Sequence, residues 1–342
     1  FDRCRQKGGY LVRINTQEEY AAIINLLQSN TNYAKKQFYI GGRREMDQYE
    51  YYWADNDNKL FGEALNSGAS WTAHTTSCWF AGEPSFYGDG VYDATMALDG
   101  VVVFAEDHID RFFNSCANME IDPGIGREEL LQLLTDLVAK VDGSYHFVYW
   151  QVTRGTAHRS HPFPDGTSNL WVMVEPEEKN LQPAPIQLLT VEDTRFFHCN
   201  TKTLNLLPNV VAAQHAKEAG CAEAVFIRDG FVTECAHSNV HILKDGVFVT
   251  HQADNLILPG IARKHIISAC ERLGVPVEER SFTKAELMNA DEVIVSASSE
   301  PGGVLANRID DIPVGGRAAE LFNQIQNEAV REFEAYVEAR RA

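Results

Sequence analysis

The chain has 342 residues, enough for two or three domains, and its 44% hydrophobic and 23% charged content is ordinary for a globular protein. A net charge of −18 argues against binding to nucleic acid, because neutralising phosphates requires a basic surface. No run approaches the roughly 18 apolar residues of a membrane span. We therefore expect neither nucleic acid nor a membrane as a partner.

Seven cysteines are scattered along the chain, with no CxxC pair and no cluster of histidines and cysteines at metal-ligand spacing. The sequence therefore predicts no metal site, and we expect the five cysteines after residue 86 to be buried or half-buried thiols. Because the chain begins at Phe1 rather than at methionine, we expect that it has been processed or trimmed, which would allow for an earlier signal segment.

The first 86 residues are rich in tyrosine, asparagine and tryptophan. A short strand is predicted over 8–15. A helix is predicted over 16–30, with Thr16 as its N-cap and Glu19 as the other half of a capping box. Three segments rich in aromatic residues and glycine follow, at 38–42, 51–55 and 79–85.

The order of these segments resembles a C-type lectin-like domain, of which residues 1–86 match only the first part. In that family a calcium ion binds sugar through an acidic-Pro-Asn loop and a later Trp-Asn-Asp strand. Here the loop reads Glu83-Pro84-Ser85 and the later strand is missing, which leaves one carboxylate for a cation that takes roughly six to eight oxygens. We therefore expect an incomplete module that does not bind carbohydrate.

From residue 87 onwards, valine-rich strands alternate with amphipathic helices. Asp229-Gly230 and Asp245-Gly246 predict hairpin turns within a strand-rich meander over 222–250. A Pro/Glu-rich stretch at 175–184 predicts a linker between two lobes. Helices are predicted over 127–141, 209–219, 259–273 and 318–340, the third with Pro259 in its first turn and Gly274 after its end.

These patterns predict an α/β (two-lobed α+β) protein in three parts. The parts are an incomplete lectin-like segment at 1–86, a small lobe at 87–178 and a large lobe at 185–338.

Two residues carry the strongest chemical signal. Lys202 lies in the run CNTKTLNLL, and Glu234 follows 32 residues later in VTECAHSN. In this order and context the pair indicates a pyridoxal phosphate (PLP) enzyme. The lysine would hold the cofactor as a Schiff base, and the carboxylate would keep the pyridine nitrogen protonated so that the ring accepts electrons.

From residue 87 to about residue 335 the chain resembles the fold-type IV PLP enzymes. These include D-amino acid aminotransferases, branched-chain aminotransferases and aminodeoxychorismate lyases, and the similarity is greatest to the first group. The motifs that carry the resemblance are GDGVY at 88–92, HIDR at 108–111, TRGTAHRSHPFP at 153–164, KTLNLL at 202–207, TECAHSNV at 233–240 and NLILPGIAR at 255–263.

The resemblance implies a binding site for the PLP phosphate. Arg111 would donate a forked, charge-assisted hydrogen bond, and the helix that starts near Ile261 and Ala262 would offer free backbone N–H groups. Ser298 and Ser299 would add hydroxyls. The family often has threonine where Ala262 stands, so one hydroxyl contact is lost in this chain.

The resemblance also implies a trap for the substrate carboxylate, made by Tyr92, Arg159 and His161. The alternation of Arg159 and His161 places both side chains on one face of an extended segment, where they can hold one carboxylate. Branched-chain enzymes and the lyases lack this Arg-x-His pattern, so it favours D-amino acids as substrates.

The predicted reaction is transamination of D-amino acids with 2-oxo acids, in which D-alanine and 2-oxoglutarate give pyruvate and D-glutamate and Lys202 moves the substrate proton. We also expect a homodimer, as is usual in the family, and a cytoplasmic location, because PLP metabolism is intracellular. The alternatives are a branched-chain aminotransferase, an aminodeoxychorismate lyase, or an inactive chimera that acts as a lectin-like binding protein. The last alternative arises because the lectin-like segment replaces the first strand of the small lobe, which would leave a sheet edge open.

Overall fold

In the computed structural model, the described residues are 88–155, 161–164 and 166–341, together with the backbone of five short strands before residue 72. The chain divides into two compact units, Phe1–Pro84 and Ser85–Ala342. The strand predicted over 8–15, the helix predicted over 16–30 and the loop at Glu83 lie outside the described residues. The strands described in the first unit are β1 (Gly42–Arg43), β2 (Tyr52–Ala54) and β3 (Leu60–Phe61), which form one antiparallel sheet, and β4 (Asn66–Ser67) and β5 (Ser70–Trp71), which form a hairpin.

The second unit contains two sheets and six helices within its described residues. Its strands are β6 (Gly90–Leu98), β7 (Val101–Val102), β8 (Tyr145–Thr153), β9 (Asn169–Pro176), β10 (Ile186–Glu192), β11 (Glu223–Arg228), β12 (Phe231–Cys235), β13 (Asn239–Lys244), β14 (Val247–Thr250), β15 (Val277–Glu279), β16 (Phe282–Thr283), β17 (Glu292–Ala297), β18 (Glu300–Ile309) and β19 (Ile312–Pro313). Its helices are α1 (Ala105–Asn118), α2 (Arg127–Val138), α3 (Leu207–Glu218), α4 (Ile261–Arg272), α5 (Lys284–Met288) and α6 (Ala319–Glu338).

The smaller sheet has the antiparallel order β7-β6-β8-β9. β6 and β8 pair along nine residues, from Gly90 opposite Thr153 to Leu98 opposite Tyr145. Alternate side chains of these strands pack against α1 and α2, because successive residues of a strand point to opposite faces. The sheet therefore has a hydrophobic core of its own, which includes Val91, Phe112, Leu130, Leu134, Val148 and Trp150.

The edge of β6 that faces away from β8 is covered by later parts of the chain. The Tyr92 N–H donates to the Lys202 carbonyl at 2.9 Å, and the Leu204 N–H donates to the Gly90 carbonyl at 2.9 Å. At its other end, the same strand pairs with β7. This edge of β6 is thus covered at both ends, and Lys202 takes part in the closure.

The larger sheet has ten strands in the order β15-β14-β13-β17-β18-β10-β11-β12-β16, with β19 paired to β18. β10 runs parallel to both β11 and β18. Four strands separate β12 from β13 in this order, yet residues 236–238 alone join them along the chain. The sheet must therefore curl until β12 and β13 meet, and the Asn239 amide donates to the Glu234 carboxylate across the gap at 3.0 Å.

The predicted meander over 222–250 is wrong at its centre. The β11–β12 and β13–β14 hairpins form, but β12 does not pair with β13. The link between them is bonded to other elements instead. The Ala236 N–H donates to Ala224 of β11 at 2.9 Å, and the Asn209 amide of α3 donates to the Ala236 carbonyl at 2.7 Å. These hydrogen bonds prevent residues 236–238 from forming a hairpin turn between β12 and β13.

The two predicted hairpin turns are confirmed. Asp229 and Gly230 have φ angles of 52° and 83°, and Asp245 and Gly246 have φ angles of 50° and 80°. Two successive positive φ values are typical of the tight turns whose twist matches that of the flanking strands, and aspartate followed by glycine adopts them readily.

The predicted helices are present, but α2 ends at Val138 rather than at 141, and α3 begins at Leu207 rather than at 209. The start of α4 also differs from the prediction. Gly260 is its N-cap, so Pro259 lies outside the first turn. The Pro259 carbonyl accepts a hydrogen bond from Arg111 Nη1 at 3.2 Å, which ties it to α1. Within the described ranges, no helix is both long enough and apolar enough to cross a lipid bilayer.

The five cysteines after residue 86 are free thiols, as the sequence predicted. The buried thiols are Cys116, Cys235 and Cys270, and the half-buried thiols are Cys199 and Cys221.

The close contact between β6 and Lys202–Leu204 gives a stability prediction. A Cβ at Gly90 would lie 2.6 Å from the Val152 carbonyl oxygen and 2.7 Å from Leu204 Cδ1. We expect Gly90→Ala to lower the free energy of unfolding by about 1–3 kcal/mol, because the strands must separate. Chemical denaturation of both proteins measures this.

The matched control is Gly126→Ser, since a Cβ at Gly126 meets nothing within 4 Å and serine improves the N-cap of α2. We expect Gly126→Ser to be at least as stable as the parent. A Gly90→Ala protein as stable as the parent would contradict the proposed close packing.

Candidate active site

A cavity of about 260 Å³ lies among the elements that carry the predicted site residues. It is bordered by β6, by the segment that precedes α3, by the link between β12 and β13, by the start of α4 and by the turn between β17 and β18. The predicted residues that line it are Tyr92, Arg111, Lys202, Glu234, Ile261, Ala262, Ser298 and Ser299.

Two predicted residues are not brought to this cavity. His161 is exposed and is not among the lining residues. Arg159 lies within 156–160, outside the described residues. The expected carboxylate trap is therefore represented in the cavity by Tyr92 alone among the described residues.

Lys202 is held by its backbone and has a free side chain. Its carbonyl accepts from Tyr92, and its N–H donates to Ser115 Oγ at 3.2 Å. The Nζ atom lies 4.2 Å from the centroid of the Tyr92 ring, and it forms no hydrogen bond or ion pair with any described residue. The chain thus presents a primary amine to the cavity from a fixed backbone position.

Glu234 is a buried carboxylate in the same cavity. It accepts hydrogen bonds from Arg195 Nη1, from the Asn239 amide at 3.0 Å and from the Leu258 N–H at 2.9 Å. Burial raises the pKa of Glu234 to about 7, and the Arg195 guanidinium opposes that rise. Three donors leave room for one more on the carboxylate oxygens.

Arg195 is itself held by a second buried acid. Its Nε and Nη2 atoms donate to the two oxygens of Asp193 at 3.0 and 2.9 Å. Burial would raise the pKa of Asp193, but Arg195 and Arg228 hold it at about 2. Sequence reasoning missed Arg195, because a single arginine ahead of Lys202 has no spacing that distinguishes it from a surface residue.

Arg111 is oriented by Asp93, which is fully buried. Arg111 Nε and Nη2 donate to the two Asp93 oxygens at 2.8 and 2.7 Å, and His108 Nδ1 lies 2.8 Å from the same carboxylate. Burial would raise the pKa of Asp93, but Arg111 and His108 hold it well below its ordinary value. The third nitrogen of the guanidinium, Nη1, donates to the Pro259 carbonyl. Arg111 thus lies at the edge of the cavity.

The start of α4 supplies unpaired donors beside Arg111. No side chain caps this helix, and its N-cap is Gly260. The first N–H groups of a helix, here those of Ile261 and Ala262, have no partner within the helix and carry its positive dipole. A Cβ at Gly260 would lie 2.0 Å from Asn239 Oδ1, so only glycine allows this approach.

Cys199 also lines the cavity, but it is not a competing nucleophile. Burial raises the pKa of the Cys199 thiol to about 11, and its Sγ atom donates to the Phe196 carbonyl at 3.2 Å. A thiol in this state carries almost no thiolate near neutral pH.

These residues fit PLP. The helix start and Arg111 suit an anionic phosphate, the Glu234 carboxylate suits a protonated ring nitrogen, and the Lys202 amine suits an aldehyde. The site thus has the donor set of a PLP-dependent enzyme, assembled from both sheets of the second unit.

Comparison with known proteins places the chain in a family. The model of the amino-transferase class IV family matches residues 90–303, and that of the lectin C-type domain matches residues 1–86. D-alanine aminotransferase of Bacillus licheniformis is 38% identical over 221 residues, which cover 62% of this chain and 76% of that protein. D-alanine aminotransferase of Listeria monocytogenes serotype 4b is 40% identical, with the same coverage. The crystal structure of branched-chain amino acid aminotransferase from Escherichia coli is similar in fold, with a TM-score of 0.67 and 23% identity, and the match covers 72% of this chain and 86% of that chain.

The chain therefore belongs to the class IV aminotransferase family. The predicted fold class, the enzyme class and PLP as cofactor are confirmed. The roles of individual residues, and the domain boundaries at 86, 178 and 185, stay predictions.

The Asp93–Arg111 pair gives a second prediction. We expect Asp93→Asn to lower the free energy of unfolding by about 3–5 kcal/mol, because it leaves the buried Arg111 charge without its counter-ion. We also expect weaker PLP binding, because Arg111 loses its fixed orientation. Denaturation and a PLP titration followed by absorbance measure the two effects.

Asp110→Asn is the matched control. Asp110 is 67% exposed and pairs with Arg127 on the surface, so its loss should cost less than about 1 kcal/mol. Equal effects of the two substitutions would refute the special role of Asp93.

Proposed function

We propose that this enzyme transfers the amino group of D-amino acids to 2-oxo acids, with D-alanine as donor and 2-oxoglutarate as acceptor. The observation that carries the proposal is the free Lys202 amine beside the Tyr92 ring, in a cavity that also holds the Glu234 carboxylate. The 38% and 40% identities to two D-alanine aminotransferases support D-amino acids as the substrate class.

PLP, when bound, supplies an aldehyde carbon that accepts the substrate amine and a ring that accepts the electron pair released at the substrate Cα. Lys202 Nζ takes the proton from the substrate Cα and passes it on. Glu234 would hold the ring nitrogen in its protonated form, and Arg195 keeps the Glu234 carboxylate in place. Arg111 and the N–H groups at the start of α4 bind the phosphate.

The proposed enzyme is a homodimer in the cytoplasm. The first turn of α3 carries a row of exposed apolar side chains, with Leu207, Val210 and Val211 exposed by 79%, 60% and 53%. Three apolar residues at this spacing form one face of a helix, and a face so exposed is typical of a surface that a second copy covers. Leu206 and Asn209 of the same region line the cavity, so the contact would lie beside the active site.

The position of His161 fits this arrangement. Because His161 does not line the cavity of its own chain, we infer that it contributes to the cavity of the second copy. Tyr92 would complete the trap from the first copy. A single chain would then be unable to hold the substrate carboxylate.

The proposal predicts a stereospecific absorption change. The purified protein should show a long-wavelength PLP–lysine band that collapses when D-alanine is added and persists with L-alanine. Lys202→Ala should abolish the band, because the amine is lost. Lys217→Ala, which removes an exposed lysine of α3 away from the cavity, is the matched control and should keep the band.

The alternatives make different predictions for the same experiment. A collapse with L-leucine but not with D-alanine would indicate branched-chain chemistry. Release of pyruvate from aminodeoxychorismate without transamination would indicate the lyase. The absence of a band even after PLP is added would support the inactive chimera with a lectin-like binding role.

The homodimer gives a fourth prediction. Sedimentation of the parent protein should give twice the 38.3 kDa chain mass. Val210→Glu should yield monomers that retain PLP but lose most D-alanine turnover, because a buried unpaired charge disrupts the interface. Ile312→Glu changes another exposed aliphatic residue, 54% exposed on β19, and should stay dimeric and active. A monomeric and active parent would refute this arrangement.

A further inference from the structure

The link between β12 and β13 forms a rigid lip of the cavity. The Cys235 N–H donates to the Ser238 carbonyl at 2.8 Å, and Ala236 is bonded to β11 as described above. Residues from Glu234 to Asn239 all line the cavity. Hydrogen bonds of Cys235 and Ala236 therefore fix the backbone of this link.

A buried carboxylate lies behind the lip. Glu223 of β11 is 4% exposed and accepts hydrogen bonds from the His237 N–H at 2.7 Å and from Ser238 Oγ at 2.6 Å. His237 Nδ1 lies 3.1 Å from the same carboxylate. Burial raises the pKa of Glu223, and His237 opposes that rise. The negative charge of Glu300 of β18 also raises the pKa of Glu223.

His237 directs its second ring nitrogen away from this carboxylate. Its side chain is 67% exposed and lines the cavity. With Nδ1 turned to Glu223, the Nε2 atom has no hydrogen-bond partner among the residues that the structure describes. When the ring is protonated, Nε2–H is a charged donor at the cavity lip.

The other cations of the cavity are already engaged. Arg111 is held by Asp93, and Arg195 is held by Asp193 and Glu234. Lys202 has its own role in the proposed function. Among the described lining residues, His237 is thus the basic side chain that remains for a second anionic group of a substrate.

We propose that His237, oriented by Glu223, forms a subsite for the side-chain carboxylate of dicarboxylic substrates such as 2-oxoglutarate. The assignment rests on the proposed transamination, in which the α-carboxylate is bound elsewhere. A protonated imidazole donates a charge-assisted hydrogen bond to a carboxylate, and a monocarboxylic substrate has no group to receive it. The subsite therefore selects between acceptors rather than catalysing the reaction.

The test compares two amine acceptors with D-alanine as donor. In His237→Gln, the KM for 2-oxoglutarate should rise about tenfold, whereas the KM for 2-oxobutyrate should change less than about twofold, because only the dicarboxylic acid loses a charged contact. His237→Lys keeps a basic side chain at this position and should keep the preference for 2-oxoglutarate.

The control is His215→Gln, an exposed histidine of α3 outside the cavity lining, which should leave both KM values unchanged. Equal changes in both KM values for His237→Gln, or no change in either, would overturn the proposal. Unfolding midpoints of the variants exclude a loss of folding as the cause.

A binding measurement separates this proposal from the proposed function. Isothermal titration of the PLP-loaded enzyme with glutarate and with butyrate needs no turnover. The parent should bind glutarate about tenfold more tightly than butyrate, and His237→Gln should bind the two equally. If D-alanine caused no spectral change but this selectivity were present, the transamination proposal would fail and the subsite would stand. If glutarate and butyrate bound equally to the parent, the subsite would be refuted.

Discussion

The short antiparallel contact between Gly90–Tyr92 and Lys202–Leu204 is the interaction on which the active site depends. It joins the small sheet to the segment that carries the reactive lysine, and it sets Tyr92 under the lysine amine. Two backbone hydrogen bonds thereby fix the point of the chain from which the Lys202 side chain extends. The same contact covers one end of the β6 edge, which would otherwise present unpaired backbone groups.

Around this contact, buried aspartate and arginine side chains form ion pairs. Asp93 faces Arg111, and Asp193 faces Arg195, with each carboxylate fully or nearly buried. A buried charge without a partner is costly, so each pair is a constraint on folding as well as on geometry. The arginines are thereby fixed before any ligand arrives, and binding does not have to order them.

Local chemistry in the sequence predicted part of this structure and not the rest. The Asp229-Gly230 and Asp245-Gly246 turns were predictable because two residues determine them, and Lys202 and Glu234 because their motifs are specific. The separation of β12 from β13 was not, because the parallel pairing of β10 with β11 and β18 brings together residues far apart in the chain. The partnership of Arg195 with Glu234 is of the same long-range kind.

The curled sheet has a consequence for biosynthesis. The cavity lining begins at Tyr92 and ends at Ser299, and β18 lies between β17 and β10 in the sheet that frames the cavity. A ribosome-bound chain that has not yet released β18 therefore lacks a complete cavity. A ligand that fits this cavity can thus be captured only once β18 is in place, and it then stabilises that fold over its precursors.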